Sequence, residues 1–149
     1  MRPQWMRWRR DDRGTALIEM AFTLPLLLFI SLGIIEFGRA FQTWQIMTNA
    51  AREGARVAVL PGISDSMVTA RVQEYIAVGV PDPSVTPTIT IQRNASISYG
   101  SGTATGSKVS VSYPYKFMVL NGIAKLVVTN TTVGSDFTMA TSATMRNEN

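Results

Sequence analysis

The chain has 149 residues and contains neither cysteine nor histidine. Its length allows one small domain. The missing residue types exclude zinc and iron–sulfur centres, thiol catalysis and histidine-based proton relays. An enzyme that uses only Asp and Glu, or a Ser/Lys pair, stays open, but the sequence shows no convergent set of these residues. We therefore predict no metal, no cofactor and no enzyme activity.

The positive charge is concentrated at the N-terminus. The chain carries 14 Lys+Arg against 10 Asp+Glu, a net charge of +4, and residues 1–14 hold five arginines against two aspartates. Nucleic-acid binding would need a basic face over a folded domain. A basic cluster directly before an apolar run is typical of a cytoplasmic membrane anchor instead, so we predict no nucleic-acid partner.

Residues 15–35 form an apolar segment, TALIEMAFTLPLLLFISLGII, with Glu19 as its single charge. A helix of about 20 residues spans the ~30 Å hydrocarbon core of a bilayer. The arginines before the segment predict that the N-terminus is cytoplasmic. Everything after Glu36 is then expected on the outer side of the membrane.

Three interpretations of this segment compete. A secretory signal peptide could be cut after the small-residue triplet Gly38-Arg39-Ala40, although the apolar run is longer than such peptides usually have. An uncleaved signal anchor is the second. The third is a prepilin-type segment cut between Gly14 and Thr15, where the basic stretch ends and the apolar run begins.

Glu19 is unusual for an ordinary anchor. A carboxylate at the centre of a membrane helix costs up to ~2.5–3.5 kcal/mol, and a charge in such a place needs a partner. If the chain is cut after Gly14, the new α-amine of Thr15, with a typical pKa of about 7.7–8.0, could be that partner. The alternative is that Glu19 simply lies at the membrane interface.

The helix is predicted to continue beyond the apolar segment, from 15 to 60, and to end at Pro61-Gly62. Pro25 removes a backbone donor and is expected to kink it. Apolar residues recur every three or four positions and predict the buried face of an amphipathic second half. These residues are Phe37, Phe41, Trp44, Met47, Ala51, Ala55 and Ala58.

The small residues of the stretch 50–55 allow a close approach, either of the protein's own β-sheet or of a neighbouring subunit. Ser64 to Ser66 offer N-caps for a second helix over 65–78, which Gly79 ends. A linker is predicted near 80–84, within an outer domain of residues 63–149.

The last part of the chain alternates apolar and polar residues with period two, which predicts three or four mainly antiparallel strands. One sheet face should be rich in Ser and Thr, and the other should pack on the helices. The apolar residues are Val85, Ile89, Ile91, Ala95, Ile97, Tyr99, Val109, Val111, Tyr113, Phe137, Met139 and Ala143, and a turn is predicted from Gly100 to Gly106.

Several stretches resemble the TadE/TadG-like family, which comprises minor pilins or pseudopilins of the tight-adherence (Tad, Flp-type) pilus. The resemblance is closest over residues 13–58, and the chain's length suits the shorter TadE-like type. The matching stretches are Arg13-Gly14-Thr-Ala-Leu-Ile-Glu19, Leu24-Pro25-Leu, Glu36-Phe37-Gly38-Arg39-Ala40 and Asn49-Ala-Ala-Arg52-Glu53-Gly54-Ala-Arg56.

The resemblance implies a pilin-like α+β fold and a structural or assembly role in the bacterial inner membrane. It implies a prepilin peptidase that cuts after a leader of residues 1–14, and a role for Glu19 in processing or filament packing. The expected partners are this peptidase, other Tad pilins and pseudopilins, the inner-membrane assembly platform and membrane lipid. An uncleaved bitopic anchor that presents an extracytoplasmic binding domain is the alternative.

Overall fold

The computed structural model describes residues 12–80, 85–119, 122 and 137–147. It contains helices α1 (Asp12–Ala58) and α2 (Asp65–Gly79) and strands β1 (Thr88–Tyr99), β2 (Gly102–Tyr115) and β3 (Phe137–Arg146). The predicted α+β architecture is confirmed. The chain divides into two compact units, Met1–Ile35 and Glu36–Asn149. Most of the predicted leader and residues 81–84 of the predicted linker lie outside the described residues.

Helix α1 begins three residues earlier than predicted and ends two residues earlier. It is followed by Pro61, which lacks the amide proton a continuing helix would need, and by Gly62, whose φ of 79° lies in the left-handed region that glycine adopts readily. Helix α2 begins where the sequence predicted. The Ser64 side chain accepts a hydrogen bond from the Met67 amide and so caps the N-terminus of α2.

The buried face of α1 consists mainly of small residues. Ala50, Ala51 and Ala55 are fully buried. A Cβ atom on Gly54 would lie 2.5 Å from Cγ2 of Val72 on α2 and 3.2 Å from Cγ1 of Val109 on β2. The small stretch of α1 therefore packs within its own domain, which was one of the two predicted alternatives.

Part of the predicted buried face is wrong. Phe37, Phe41 and Trp44 are exposed, whereas Glu36 and Ala40 are buried. The buried face is thus offset from the aromatic one by one residue, or about 100° around the helix. Bulky apolar side chains dominate a hydrophobicity pattern. In this helix, however, it is the small residues that allow α1 to pack against the rest of its domain.

The sheet is antiparallel in the order β1-β2-β3. Tyr99 pairs with Gly102, so the connection between the first two strands is only Gly100-Ser101, with Gly100 at a φ of 53°. The predicted turn from Gly100 to Gly106 is therefore too long. Its remaining residues, including Gly106, belong to β2.

A β-bulge interrupts β1. Gln92 pairs with Lys108 but Ala95 pairs with Gly106, so two residues of β1 stand opposite one of β2, and Asn94 adopts a φ of 61°. An extra residue reverses the side-chain alternation. The odd residue numbers suggested that Ala95 and Ile97 share a sheet face with Ile89 and Ile91. Because of the bulge, they lie on the opposite face instead.

The core lies between the helices and one face of the sheet. Ile89, Ile91 and Ala143 are partly buried at its margin. Phe137 pairs with the buried Tyr115 and so lies on the predicted face, but at the end of β3 it is 43% exposed. The other face carries Thr and Ser side chains, as predicted. The buried core residues are Ala40, Met47, Ala50, Ala51, Ala55, Ala58, Val68, Val72, Ile76, Val80, Val109, Val111, Tyr113, Tyr115 and Met139.

Candidate functional site

The apolar part of α1 exposes its large side chains on all sides. Within the described residues, α1 is the one helix that is long and apolar enough to cross a membrane, and none of its most apolar window is buried. Burial of such a surface in lipid would remove it from water. The exposed side chains are Leu17, Ile18, Met20, Phe22, Leu24, Leu26, Leu27, Leu28, Phe29, Ile30, Ile34 and Ile35.

Gly14 and Thr15, the predicted processing residues, lie in the first turn of α1. Among the described residues, a Cβ atom on Gly14 would meet nothing within 4 Å. The first backbone amides of a helix lack partners within it, and glycine weakens a helix by about 0.5–1 kcal/mol relative to alanine.

Glu19 lies one turn further along α1 and is exposed. Among the described residues its carboxylate has no hydrogen bond or ion pair. Its backbone carbonyl accepts a hydrogen bond from Oγ1 of Thr23 at 2.7 Å.

Two polar side chains in the same segment are satisfied by the helix itself. Oγ1 of Thr23 donates to the carbonyl of Glu19, and Oγ of Ser31 donates to the carbonyl of Leu27 at 2.8 Å. These bonds hide hydroxyl groups that lipid could not hydrogen-bond. The helix continues through Pro25. The predicted kink there stays a prediction.

The sequence analysis missed a buried carboxylate at the start of the second compact unit, Glu36–Asn149, which we call the outer unit for its predicted side of the membrane. Glu36 is 1% exposed, its Oε1 lies 3.2 Å from Nη1 of Arg39, and its Oε2 accepts a hydrogen bond from the Val119 amide at 3.2 Å. Buried carboxylates need such partners. The ion pair with Arg39, three residues later, could have been predicted from the sequence. The hydrogen bond from the Val119 amide could not, because that residue is distant in the sequence.

An aromatic cluster surrounds this region of the outer unit. The Phe117 ring contacts Phe37, Tyr115 and Phe137, with centroids 6.1, 5.3 and 5.8 Å away. The Tyr115 hydroxyl is buried and has no hydrogen-bond partner among the described residues. Burial raises the pKa of Tyr115, because the ionised phenolate would lose its hydration.

The outer unit also has an ion-pair network on its surface. The Glu53 carboxylate lies 2.8 Å from Nη2 of Arg56 and 3.4 Å from Nε of Arg71, which also contacts Glu74. Its hydrogen bonds to Arg56 are the main cause of a Glu53 pKa lowered to about 2. Within the described part of the chain, no group of three or more Asp or Glu side chains could hold a metal ion.

The described structure thus defines an α+β protein whose N-terminal helix is compatible with a membrane anchor. The model of the family described as TadE-like protein matches residues 14–56, so this part of the chain is a TadE-like domain. This domain indicates a protein associated with the Tad pilus. Searches of curated proteins and of solved structures found no match to the chain.

Proposed function

We propose that the chain is a minor pilin or pseudopilin, a structural or assembly subunit of a Tad pilus. The observation that carries this proposal is the position of the TadE-like match, which begins at Gly14 and includes the exposed apolar helix. In this proposal α1 first holds the subunit in the inner membrane. The same apolar surface then packs among the helices of other pilins and pseudopilins at the assembly platform.

The N-terminus is cytoplasmic in this proposal, and the unit that begins at Glu36 is extracytoplasmic. The arginines of residues 1–14 favour this orientation, because positively charged segments stay on the cytoplasmic side. They also explain why the leader must be removed. Five arginines would otherwise follow the start of α1 into apolar surroundings during assembly.

A prepilin peptidase is proposed to cut between Gly14 and Thr15. The open surroundings of Gly14 among the described residues support this, because a peptidase must reach the scissile bond. A signal-peptidase cut after Ala40 agrees less well with the fold. It would remove Glu36, which binds the Val119 amide, and Ala40, which belongs to the core.

The test measures the intact mass of the membrane-extracted chain, expressed with and without the cognate peptidase. With the peptidase, the mass should lack the first 14 residues. Gly14→Leu should prevent the cut by placing a side chain at the scissile bond. Gly33→Leu is the matched control, since Gly33 is another glycine of α1 with open surroundings, and this variant should be cut normally.

A mature chain that begins at Met1 despite an active peptidase would support the uncleaved bitopic anchor and contradict processing. A chain that begins at Phe41 would identify a cleaved signal peptide. The role in the pilus is tested separately, by deleting the chain and counting surface pili. Unchanged piliation in the deletion strain would contradict a structural or assembly role.

A further inference from the structure

Three aromatic side chains stand exposed on α1 directly after its apolar segment. Phe37, Phe41 and Trp44 are 65%, 59% and 44% exposed. Their spacing of four and three residues places them on one side of the helix. The rings of Phe41 and Trp44 are neighbours, with centroids 6.1 Å apart.

The same side of the domain continues onto β3. A groove of about 410 Å³ lies between these aromatic residues and residues 137–140, and Phe137 at its edge is 43% exposed. We call Phe37, Phe41, Trp44 and Phe137 the aromatic flank. Another side of α1 at this level exposes Gln42, whereas the exposed Gln45, four residues after Phe41, borders the flank. The exposed apolar surface is therefore one-sided.

The charges of α1 indicate where this flank lies relative to a membrane. After Glu19, the next charge on α1 is Glu36, but it is buried and bound by Arg39 and the Val119 amide. The first partly exposed charge is therefore Arg39. Met20–Gly38 lies between the two exposed charges, and 19 helical residues measure about 28 Å, close to the ~30 Å hydrocarbon core.

This position moves the membrane-spanning residues outward from the predicted 15–35. Phe37 then reaches the edge of the hydrocarbon, and Phe41 and Trp44 follow roughly 5 and 9 Å beyond Gly38 along the helix. That distance corresponds to the headgroup layer, which tryptophan favours because its ring is apolar and its N–H is polar. The internal pairing of Glu36 explains how a carboxylate can be tolerated near this boundary.

We propose that the aromatic flank is a lipid-binding surface that seats the outer domain on the headgroup layer. The occupant is phospholipid at the boundary between headgroups and acyl chains. The flank begins directly after the apolar segment in the sequence, and its aromatic side chains are exposed. In this arrangement the domain is tilted, so that Trp44 faces the bilayer and Gln42 faces away from it. This inference rests on the membrane anchoring in the proposed function.

Trp44 provides an internal probe, because the other two tryptophans, Trp5 and Trp8, lie in the first 14 residues. The full chain with Trp5 and Trp8 replaced by Phe is reconstituted into phosphatidylcholine–phosphatidylglycerol vesicles. Lipids brominated at shallow or deep acyl positions then quench its fluorescence. We expect a blue-shifted Trp44 emission that shallow bromines quench more strongly than deep ones.

The matched control moves the probe to the polar side of the helix. The control variant combines Trp44→Phe with Gln42→Trp and so places a tryptophan two residues nearer the apolar segment. If the domain did not lean toward the bilayer, the bromines would quench this tryptophan more strongly than Trp44. The proposal expects weaker quenching at position 42 than at position 44. Phe41→Ser, with Trp44 retained, should shift the emission to the red and reduce quenching while the chain stays in the vesicles.

Three outcomes would overturn the inference. The first is a Trp44 that shallow bromines leave unquenched in vesicle-bound protein. The second is stronger quenching at position 42 than at 44. The third is a blue shift that grows with the protein-to-lipid ratio without bromine quenching, which would identify a second copy as the occupant. Failure of the chain to float with vesicles would instead contradict the membrane anchoring in the proposed function.

Discussion

Nε of Arg93 on β1 lies 2.7 Å from Oδ1 of Asp65, the first residue of α2. The same guanidinium donates hydrogen bonds to the carbonyls of Ala58 at 2.9 Å and Ile63 at 2.8 Å. One side chain at the β-bulge therefore joins the end of α1, the following loop and the start of α2. It also satisfies a carbonyl at the helix end, where carbonyls lack partners within the helix.

Arg93→Ala should destabilise the outer unit by about 1–3 kcal/mol, because Ala58 and Ile63 lose a charged donor. Arg93→Lys should recover only part of this, since an ammonium group cannot reproduce the planar fork of a guanidinium. Urea unfolding measures both. Arg52→Ala is the control, because Arg52 is exposed and contacts only Asn49, at 3.5 Å, among the described residues. A loss no larger than that of the control would contradict this role.

Gly54→Ala should destabilise the helix–sheet core by about 1–3 kcal/mol through overpacking. The added Cβ would lie 2.5 Å from Cγ2 of Val72, and a valine side chain cannot easily move aside. Val72→Ala in the same chain should restore part of the loss. Gly38→Ala is the control, because its Cβ meets nothing within 4 Å, and it should stabilise the helix by up to about 1 kcal/mol. Thermal unfolding distinguishes these variants, and a stabilising Gly54→Ala would show that the helix packs differently.

The folded outer unit should need residues from Glu36 onward. A fragment of residues 36–149 should unfold cooperatively and at higher urea than a fragment of residues 42–149, which lacks Ala40 and the Glu36 carboxylate that binds Val119. Residues 82–149 alone should fare worse, because the sheet would expose its apolar face. Introducing Glu36→Ala into the longer fragment tests whether the carboxylate causes the difference. Equal stability of the fragments would contradict a contribution from residues 36–41.

Much of this fold follows from local patterns. The period of the apolar residues and the Ser64 cap predicted the two helices, and alternation with threonine and serine predicted the strands. The bulge at Asn94 was not predictable in this way, because odd numbering continues through it. Its register depends on the pairing of β1 with β2, which is a tertiary property.

Part of the candidate site rests on local signals, and its role stays a prediction. The position of Gly14 before an apolar run is a local signal, as is the isolation of Glu19. Glu36 was not recognised as buried, because its acceptor role depends on Val119, 83 residues later. Phe37 and its neighbours were assigned to the core because hydrophobicity alone does not show which of two adjacent faces fits against a sheet.

Acid should weaken the outer unit through Glu53. Hydrogen bonds from Arg56, followed by the interaction with Arg71, lower the pKa of Glu53 from 4.5 to about 2. The unfolded chain therefore binds more protons in this range, so this stabilisation is complete above pH 4.5 and declines as the pH falls toward 2. The side chain is 20% exposed and its partners face solvent, so we expect about 1 kcal/mol.

The measurement for Glu53 compares urea midpoints at several pH values from 2 to 6. Glu53→Gln should flatten the dependence over this range. Glu74→Gln, which removes a more exposed partner of Arg71, should flatten it less. An identical profile for wild type and Glu53→Gln would contradict this assignment.

Glu19→Gln tests whether a charge pair sets the register of assembly. The carboxylate is exposed and has no partner among the described residues, and cleavage after Gly14 would create an α-amine at Thr15. We expect these groups to pair between neighbouring subunits. Opposite charges attract strongly in apolar surroundings, but each also loses hydration, so the pair should fix axial position more than it adds stability.

The glutamine variant keeps the shape and removes the charge, so membrane insertion should be unchanged or improved while pilus formation falls. Piliation is counted at native expression, and the intact mass of the same variant is measured, because the peptidase can also read this position. Correct cleavage with reduced piliation would support the pairing. Correct cleavage with normal piliation would contradict it and leave Glu19 as an interfacial side chain. If the peptidase does not cut the glutamine variant, the variant is also expressed as a chain whose leader is removed independently. Normal piliation from that chain would equally contradict the charge pair.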